Sequence, residues 1–143
     1  NEVIVSVNES VKKIENLVSQ FKFRDACAEF INIARFGNKY LADEEPWKII
    51  KVDPERVKTI LFVALHISSI LSIVSEPFLP FTSKKIKFIL NSQDHSSKWT
   101  WENLVNDKFL ITKGVTINEP ELLFTRIEDS EIEYQIDKLK NNN

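Results

Sequence analysis

Apolar residues recur at intervals of three and four along much of this chain, the spacing that places them on one face of an α-helix. A first stripe over residues 4–21 predicts an amphipathic helix that is already under way at Ile4. A second stripe, over residues 23–41, passes through Gly37. Glycine costs about 1 kcal/mol relative to alanine inside a helix, so we expect Gly37 to admit a closely packed neighbour.

Prolines and caps divide the remaining pattern into further helices. Pro46 disfavours helix at the preceding residue, so the second helix should end near residues 43–44. Asp53 followed by Pro54 is a strong start signal, because the first residue can cap and the second suits the first helical position. The helix that follows should reach about residue 76, and it is apolar on nearly all sides over residues 60–74, which is typical of a central, buried helix.

The C-terminal third is less regular. A shorter helix is predicted over residues 82–90, then an irregular stretch over 91–120 that Trp99 and Trp101 should attach to the bundle. A last helix is predicted over 130–140. We expect its apolar residues to face inward: Ile132, Ile136 and Leu139.

The predicted fold is therefore all-α. We expect one domain, residues 1–143, with an antiparallel bundle of four or five helices over about 1–90, and an extended wrapping segment with the last helix over about 91–140. The 143 residues and 43% hydrophobic content suit a single core. The longest apolar stretch is too short and too polar to span a bilayer, so no membrane partner is expected.

Composition narrows the chemistry. Only two glycines occur, which argues against phosphate-cradling loops. A single cysteine, Cys27, excludes a disulfide within the chain and a cysteine zinc cluster. The net charge of −2 requires that any nucleic-acid contact be local, because proteins that grip phosphates over a wide face are usually basic.

No catalytic or metal-binding constellation stands out. We expect His66 to be a hydrogen-bonded core histidine, His95 to be solvated in a polar loop, and Cys27 to act as a small buried hydrophobe. Acidic pairs at residues 43–45 and 128–129 have the surroundings of surface turns. The sequence thus predicts neither a catalytic residue nor a metal site in this domain.

Trp47 is the most informative side chain. It follows Pro46 just beyond a predicted helix end, and two interpretations stay open: a ring folded back over the end of the bundle, or a platform on which an unpaired base stacks. Four nearby cations suit either phosphate contacts or plain solvation: Arg35, Lys39, Lys48 and Lys51.

Five short motifs, taken in order, resemble the anticodon-binding domain of methionyl-tRNA synthetases. They are residues 21–26 (FKFRDA), 38–40 (NKY), 46–48 (PWK), 77–80 (PFLP) and 122–128 (LLFTRIE). Each is weak alone, and similar bundles occur in other class I synthetases. The closing Leu-Phe-x-Arg-Ile stretch, at this distance from the Pro-Trp pair, favours the methionine enzyme.

The resemblance implies a class I helical anticodon domain whose ligand is the CAU anticodon loop of methionine tRNA. Trp47 would stack on the first anticodon base, and Pro46 would shape its turn. Asn38 and Tyr40 would support that turn, while Arg126 would either touch tRNA or clasp the bundle. An asparagine–arginine pair that the family also uses has no match here and is expected upstream of Asn1.

The resemblance also implies a longer parent enzyme. It would be a cytoplasmic methionine–tRNA ligase that uses ATP with Mg²⁺, and in some members Zn²⁺, none of which this domain would hold. The partners would be methionine tRNA and the catalytic domain of the same chain, because the family's ATP-binding signatures are missing from these residues. The alternatives are the anticodon domain of another class I synthetase and a helical protein-interaction module.

Overall fold

A computed structural model of the chain describes residues 2–92, 99–106 and 109–141. Within these ranges the regular structure is entirely helical, which confirms the all-α class. His95, which we expect to be solvated, lies outside the described residues. The helices, in chain order, are α1 (Glu2–Ser19), α2 (Phe23–Glu44), α3 (Pro46–Ile49), α4 (Pro54–Val74), α5 (Pro80–Ile89), α6 (Trp101–Val105) and α7 (Asp129–Asn141).

The fold is organised around α4, which contacts α1, α2, α3, α5 and α6. Its start is the predicted one: the carboxylate of Asp53 accepts a hydrogen bond from the backbone N–H of Arg56 at 2.9 Å, and Pro54 occupies the first turn. The expectation that its apolar stretch is too short and too polar to span a bilayer is wrong, because the whole helix has the length and composition of a membrane-crossing segment; 56% of its most apolar window is nevertheless buried inside the protein. Such burial is the pattern of a core helix, as predicted.

Serine hydroxyls inside this core are paired with main-chain carbonyls. Ser69 donates to the carbonyl of His66 at 2.6 Å, and Ser72 donates to that of Ser69 at 2.7 Å. Ser83 of α5 donates across the interface to the carbonyl of Ser72. Because each of these three hydroxyls has a partner, the serines let α5 approach α4 closely without an unsatisfied group among them.

The apolar stripes of α1 and α2 meet each other and α4, with two corrections at the turn between them. On α1 the buried positions Val7, Val11 and Ile14 are those predicted. The spacing puts Phe21 on the same stripe, but its side chain is 80% exposed, because α1 ends at Ser19 and the backbone of Phe21 is left-handed, with φ 59°. Phe23 is also exposed.

On α2 two of the buried residues lie one position before the predicted ones, while Phe30 is buried as predicted. Ala26, Phe30 and Ile33 are buried, and Cys27 is only half-buried, because α2 is covered from two sides, by α1 and α4. The ring of Phe30 stacks on Phe78 with centroids 5.5 Å apart.

Gly37 performs the role predicted for it. A Cβ added there would lie 3.1 Å from the Cγ2 methyl of Ile67 on α4, so a side chain at this point would push into the neighbouring helix. The crossing of α2 and α4 thus depends on a residue without a side chain.

The segment after α5 is attached as predicted but contains an unpredicted helix. Trp99 is 8% exposed and belongs to the core, and Trp101 packs against that core. Between them Thr100 caps the five-residue helix α6, its hydroxyl accepting from the N–H of Asn103 at 3.3 Å. The sequence predicts an irregular stretch here because a single cap over so few residues is a weak signal.

The C-terminal wrap follows the bundle for only part of its predicted length. Leu110 and Ile111 are buried, and Asn118 is hydrogen-bonded to the end of α5 through the carbonyls of Phe88 and Ile89, at 2.6 and 2.8 Å. Beyond the Lys85–Glu121 ion pair most side chains are exposed, including three large apolar ones: Leu122, Phe124 and Ile127.

The prediction that the apolar residues of α7 face inward is wrong. Ile132, Ile136 and Leu139 are 47%, 45% and 72% exposed, and no residue of α7 is buried. Periodicity shows that one face of this helix is apolar, but it does not specify a surface to cover that face, and in the described part of the chain the face stays largely exposed.

His66 is buried, as predicted, but it is not fully hydrogen-bonded. It is 3% exposed, its Nδ1 has no hydrogen-bond partner among the described residues, and its ring lies 4.7 Å from that of Phe109. Burial lowers the pKa of His66 to about 4, because the charged imidazolium would lose its hydration.

We expect Gly37→Val to destabilise the fold by about 1–3 kcal/mol, because the added side chain overpacks the contact with Ile67. Urea unfolding gives the measurement. Ala28→Val is the control, since Ala28 is exposed on the same helix and its change should cost at most about 0.5 kcal/mol. A Gly37→Val protein as stable as the parent would show that the close approach is not required.

We expect acid to weaken the fold through His66. Its pKa is depressed in the folded state, so between pH 6.5 and 4 the unfolded chain binds a proton that the folded chain does not. Stability should therefore fall by about 2 kcal/mol from pH 7 to pH 5. Urea unfolding of His66→Leu should lack this decrease and that of His95→Gln should keep it; an unchanged decrease in His66→Leu would contradict the assignment.

Candidate nucleic-acid interface

The turn after α2 places Pro46 and Trp47 in different environments, the first buried and the second exposed. Helix α2 ends at Glu44, and Glu45 adopts a left-handed backbone, with φ 42° and ψ 54°, while its N–H bonds to the carbonyl of Leu41. Pro46 then starts the one-turn helix α3 and is buried. Trp47, the next residue, is exposed, so a buried proline and an exposed indole are adjacent in this turn.

Trp47 is 61% exposed and lies outside the hydrophobic core cluster. Ile50 and Val52, which follow in the same turn, are also exposed, at 54% and 86%. An exposed indole offers a flat apolar face on which a planar base can stack. This geometry favours the platform interpretation over a ring folded onto the end of the bundle.

The predicted cations surround this turn unevenly. Lys48 pairs with Glu45 at 2.7 Å, and Lys51 is exposed in the turn. On α2, Arg35 donates to the side-chain oxygen of Asn32 at 3.1 Å, and Lys39 is exposed one helical turn further on. The two α2 cations thus lie along the helix that leads to Trp47.

The two predicted supporting residues occupy different environments. Asn38 is exposed, whereas Tyr40 is half-buried against the core. Burial raises the pKa of the Tyr40 hydroxyl, and the neighbouring Glu44 carboxylate raises it further, while Arg56 acts in the opposite direction. Tyr40 therefore lies close to both of these charges.

Glu44 and Arg56 form an ion pair that sequence patterns did not reveal. Arg56 Nη2 donates to both carboxylate oxygens of Glu44, at 2.7 and 2.6 Å, and so joins the last residue of α2 to the first turn of α4. The hydrogen bond and the charge of Glu44 raise the pKa of Arg56. The sequence does show opposite charges on the two sides of the Pro-Trp turn. Because the two residues are 12 positions apart, they match no local helical spacing that would have predicted the pair.

Arg126 is exposed, in the segment that follows the Lys85–Glu121 ion pair. Of the predicted site residues, Pro46, Trp47 and Lys48 are consecutive in the turn after α2. The other four of this group lie on the second half of α2, which leads to the turn: Arg35, Asn38, Lys39 and Tyr40.

The described residues hold no group of three histidine, cysteine, aspartate or glutamate side chains placed to share a metal ion. Fold and site together define a helical domain with an exposed aromatic residue in the turn between α2 and α4. Comparison with known proteins names the family.

The family model described as the anticodon binding domain of methionyl tRNA ligase matches residues 1–142. The chain belongs to this family. It is 54% identical over 129 residues to a methionine–tRNA ligase of Christiangramia forsetii, covering 89% of this chain and 19% of that protein. A methionine–tRNA ligase of Flavobacterium psychrophilum is 48% identical over 127 residues, with 89% and 18% covered.

A third relative, a methionine–tRNA ligase of Cytophaga hutchinsonii, is 47% identical over 138 residues, covering 96% of this chain and 19% of that protein. The chain thus spans less than a fifth of the length of these three relatives. The matches confirm the resemblance to the methionine family and favour it over other class I synthetases.

Proposed function

We propose that this domain binds the anticodon loop of methionine tRNA and thereby selects the substrate of a methionine–tRNA ligase. The observation that carries the proposal is the exposed indole of Trp47 on a turn anchored by buried Pro46, in a chain of this family. The first anticodon base would stack on Trp47, which is worth about 1–3 kcal/mol for a base on an aromatic ring.

Cations would complete the contact. Lys39 and Arg35, exposed on α2, would meet phosphates on the stem side of the loop, and Lys48 and Lys51 would meet those next to the stacked base. Asn38 and Tyr40 would support the turn from α2. Arg126 would either contact tRNA or clasp the bundle.

The catalytic steps belong to the rest of such an enzyme, which would be soluble and cytoplasmic. It would use ATP with Mg²⁺, and a member with a zinc insert would hold Zn²⁺ there. The described residues of this domain do not fit these groups, because they bring together no metal-ligand set and the chain has only two glycines with which to cradle phosphates. The domain would contribute tRNA selection alone.

A helical protein-interaction module is the second candidate. The exposed apolar face of α7 favours it, since such faces mark contact surfaces. Binding to an RNA hairpin that carries a CAU anticodon, compared with a hairpin of permuted loop sequence, separates the candidates. Equal affinity for both loops would overturn the methionine assignment, and lack of binding by the chain and by a form extended upstream would favour the protein module.

We expect Trp47→Ala to weaken binding of the CAU hairpin by about 1–3 kcal/mol and to remove discrimination between the two loops. Because the indole is 61% exposed, the urea midpoint should barely change. Trp47→Phe keeps an aromatic face and should retain part of the affinity. A marked loss of stability in Trp47→Ala would instead favour a structural role for the ring.

We expect Lys39→Gln and Lys51→Gln to weaken binding to both hairpins alike. Removing one lysine–phosphate interaction should lower the slope of log affinity against log salt by about 0.7–0.9. Lys84→Gln removes the same charge from an exposed position on α5 and should leave the slope unchanged. An effect of Lys84→Gln equal to that of the other two would indicate general charge attraction rather than defined contacts.

A further inference from the structure

Residues 45–53, the Trp47 turn, connect α2 to α4, and several main-chain hydrogen bonds organise this turn. The N–H of Lys48 bonds to the carbonyl of Glu45 at 2.9 Å, and the N–H groups of Val52 and Asp53 bond to the carbonyl of Ile49 at 2.9 and 2.8 Å. These bonds fix the path of the turn within itself. They do not fix how the turn as a whole sits on the end of the bundle.

The Glu44–Arg56 pair closes the base of the turn. Glu44 immediately precedes it, and the main chain of Arg56 is held by the Asp53 cap at its other end. Both carboxylate oxygens accept from one guanidinium nitrogen, and the side chains of Arg56 and Glu44 remain 50% and 27% exposed. The pair therefore ties the two helix ends together at the base of the turn that carries Trp47.

Local helix electrostatics oppose this arrangement. The C-terminus of a helix carries partial negative charge and its N-terminus partial positive charge. Glu44 nevertheless ends α2, and Arg56 lies in the first turn of α4. Each helix alone would favour the opposite sign at that position. Each charge is unfavourable at its own helix end, but the two charges attract each other across the turn. Such a pair indicates a requirement of the turn rather than of either helix.

We propose that Glu44 and Arg56 are positioning residues, which hold the Trp47 turn against the bundle so that the indole is presented in one orientation before a ligand arrives. The identity of that ligand, an unpaired anticodon base, is taken from the proposed function, on which the inference therefore rests. Neither residue needs to touch RNA. Their effect on binding comes from ordering Trp47 in advance, so that less conformational freedom is given up on association.

The test uses Glu44→Gln, Arg56→Gln, the double variant and the charge exchange Glu44→Arg with Arg56→Glu. The first readout is the fluorine NMR spectrum of protein labelled with 5-fluorotryptophan, in which Trp47→Phe assigns the Trp47 resonance. The second readout is affinity for the CAU hairpin. Urea unfolding monitors the fold in every variant.

We expect either single change to shift or broaden the Trp47 resonance while those of Trp99 and Trp101, at the core, stay unchanged. Hairpin affinity should fall about 2- to 10-fold, the effect of ordering one side chain on binding. The double variant should be no weaker than either single variant, because the pair acts as a unit. The charge exchange should restore both readouts.

The matched control is the ion pair between Lys87 and Glu76, which joins α5 to the residues after α4 at 2.8 Å, with a separation of 11 residues. Glu76→Gln breaks a pair of the same kind away from the Trp47 turn and should alter neither readout. If it alters them as much as Glu44→Gln does, the effect is one of general stability and the positioning role is overturned.

The fluorine readout needs no RNA, so the two proposals fail separately. If the parent binds the hairpin, and breaking the pair changes neither the Trp47 resonance nor the affinity, the positioning role is wrong. If the resonance responds and the charge exchange restores it, but the parent fails to bind the hairpin in both its given and extended forms, the positioning role stands and the anticodon function is overturned.

Discussion

Burial of α4 is the constraint on which the rest of the structure depends. The helix is apolar on nearly all sides, and each large aliphatic side chain that it buries contributes about 1.5–3 kcal/mol. Such a helix is stable only when other helices surround it, so α1, α2, α5 and α6 take their places from it. Its two ends then define two ends of the bundle, and the start of α4 is where the Trp47 turn returns to the core.

Much of this arrangement could be predicted from local signals. The Asp53 cap, the end of α2 before Pro46 and the close approach at Gly37 depend on residues near in sequence or on simple sterics, and the structure has all three. The resemblance, spread over five short motifs, identified the family. Caps, helix ends and short motifs each depend on a few neighbouring residues, so they can be predicted from sequence directly.

The features that could not be predicted depend on partners distant in sequence. The apolar residues of α7 are not buried by the described part of the chain, and the inward side of α2 is fixed by neighbours on two sides, α1 and α4. Glu44 and Arg56 become partners only because the intervening turn brings two helix ends together. Exposure of Trp47, as opposed to burial, likewise depended on how Pro46 was anchored, which left two interpretations open at the level of sequence.

The same ion pairs also bear on how a slightly acidic domain approaches RNA. Residues 43–45 form an acidic run beside Trp47, which alone would repel phosphates. In the structure Arg56 forms an ion pair with Glu44, and Lys48 forms one with Glu45. Two of these three negative charges are therefore offset by a neighbouring cation. With a net charge of −2, little affinity is available from general attraction. If the proposed function holds, selective binding at this turn would have to come from the aromatic face of Trp47, oriented in advance and with two of the three neighbouring carboxylates offset.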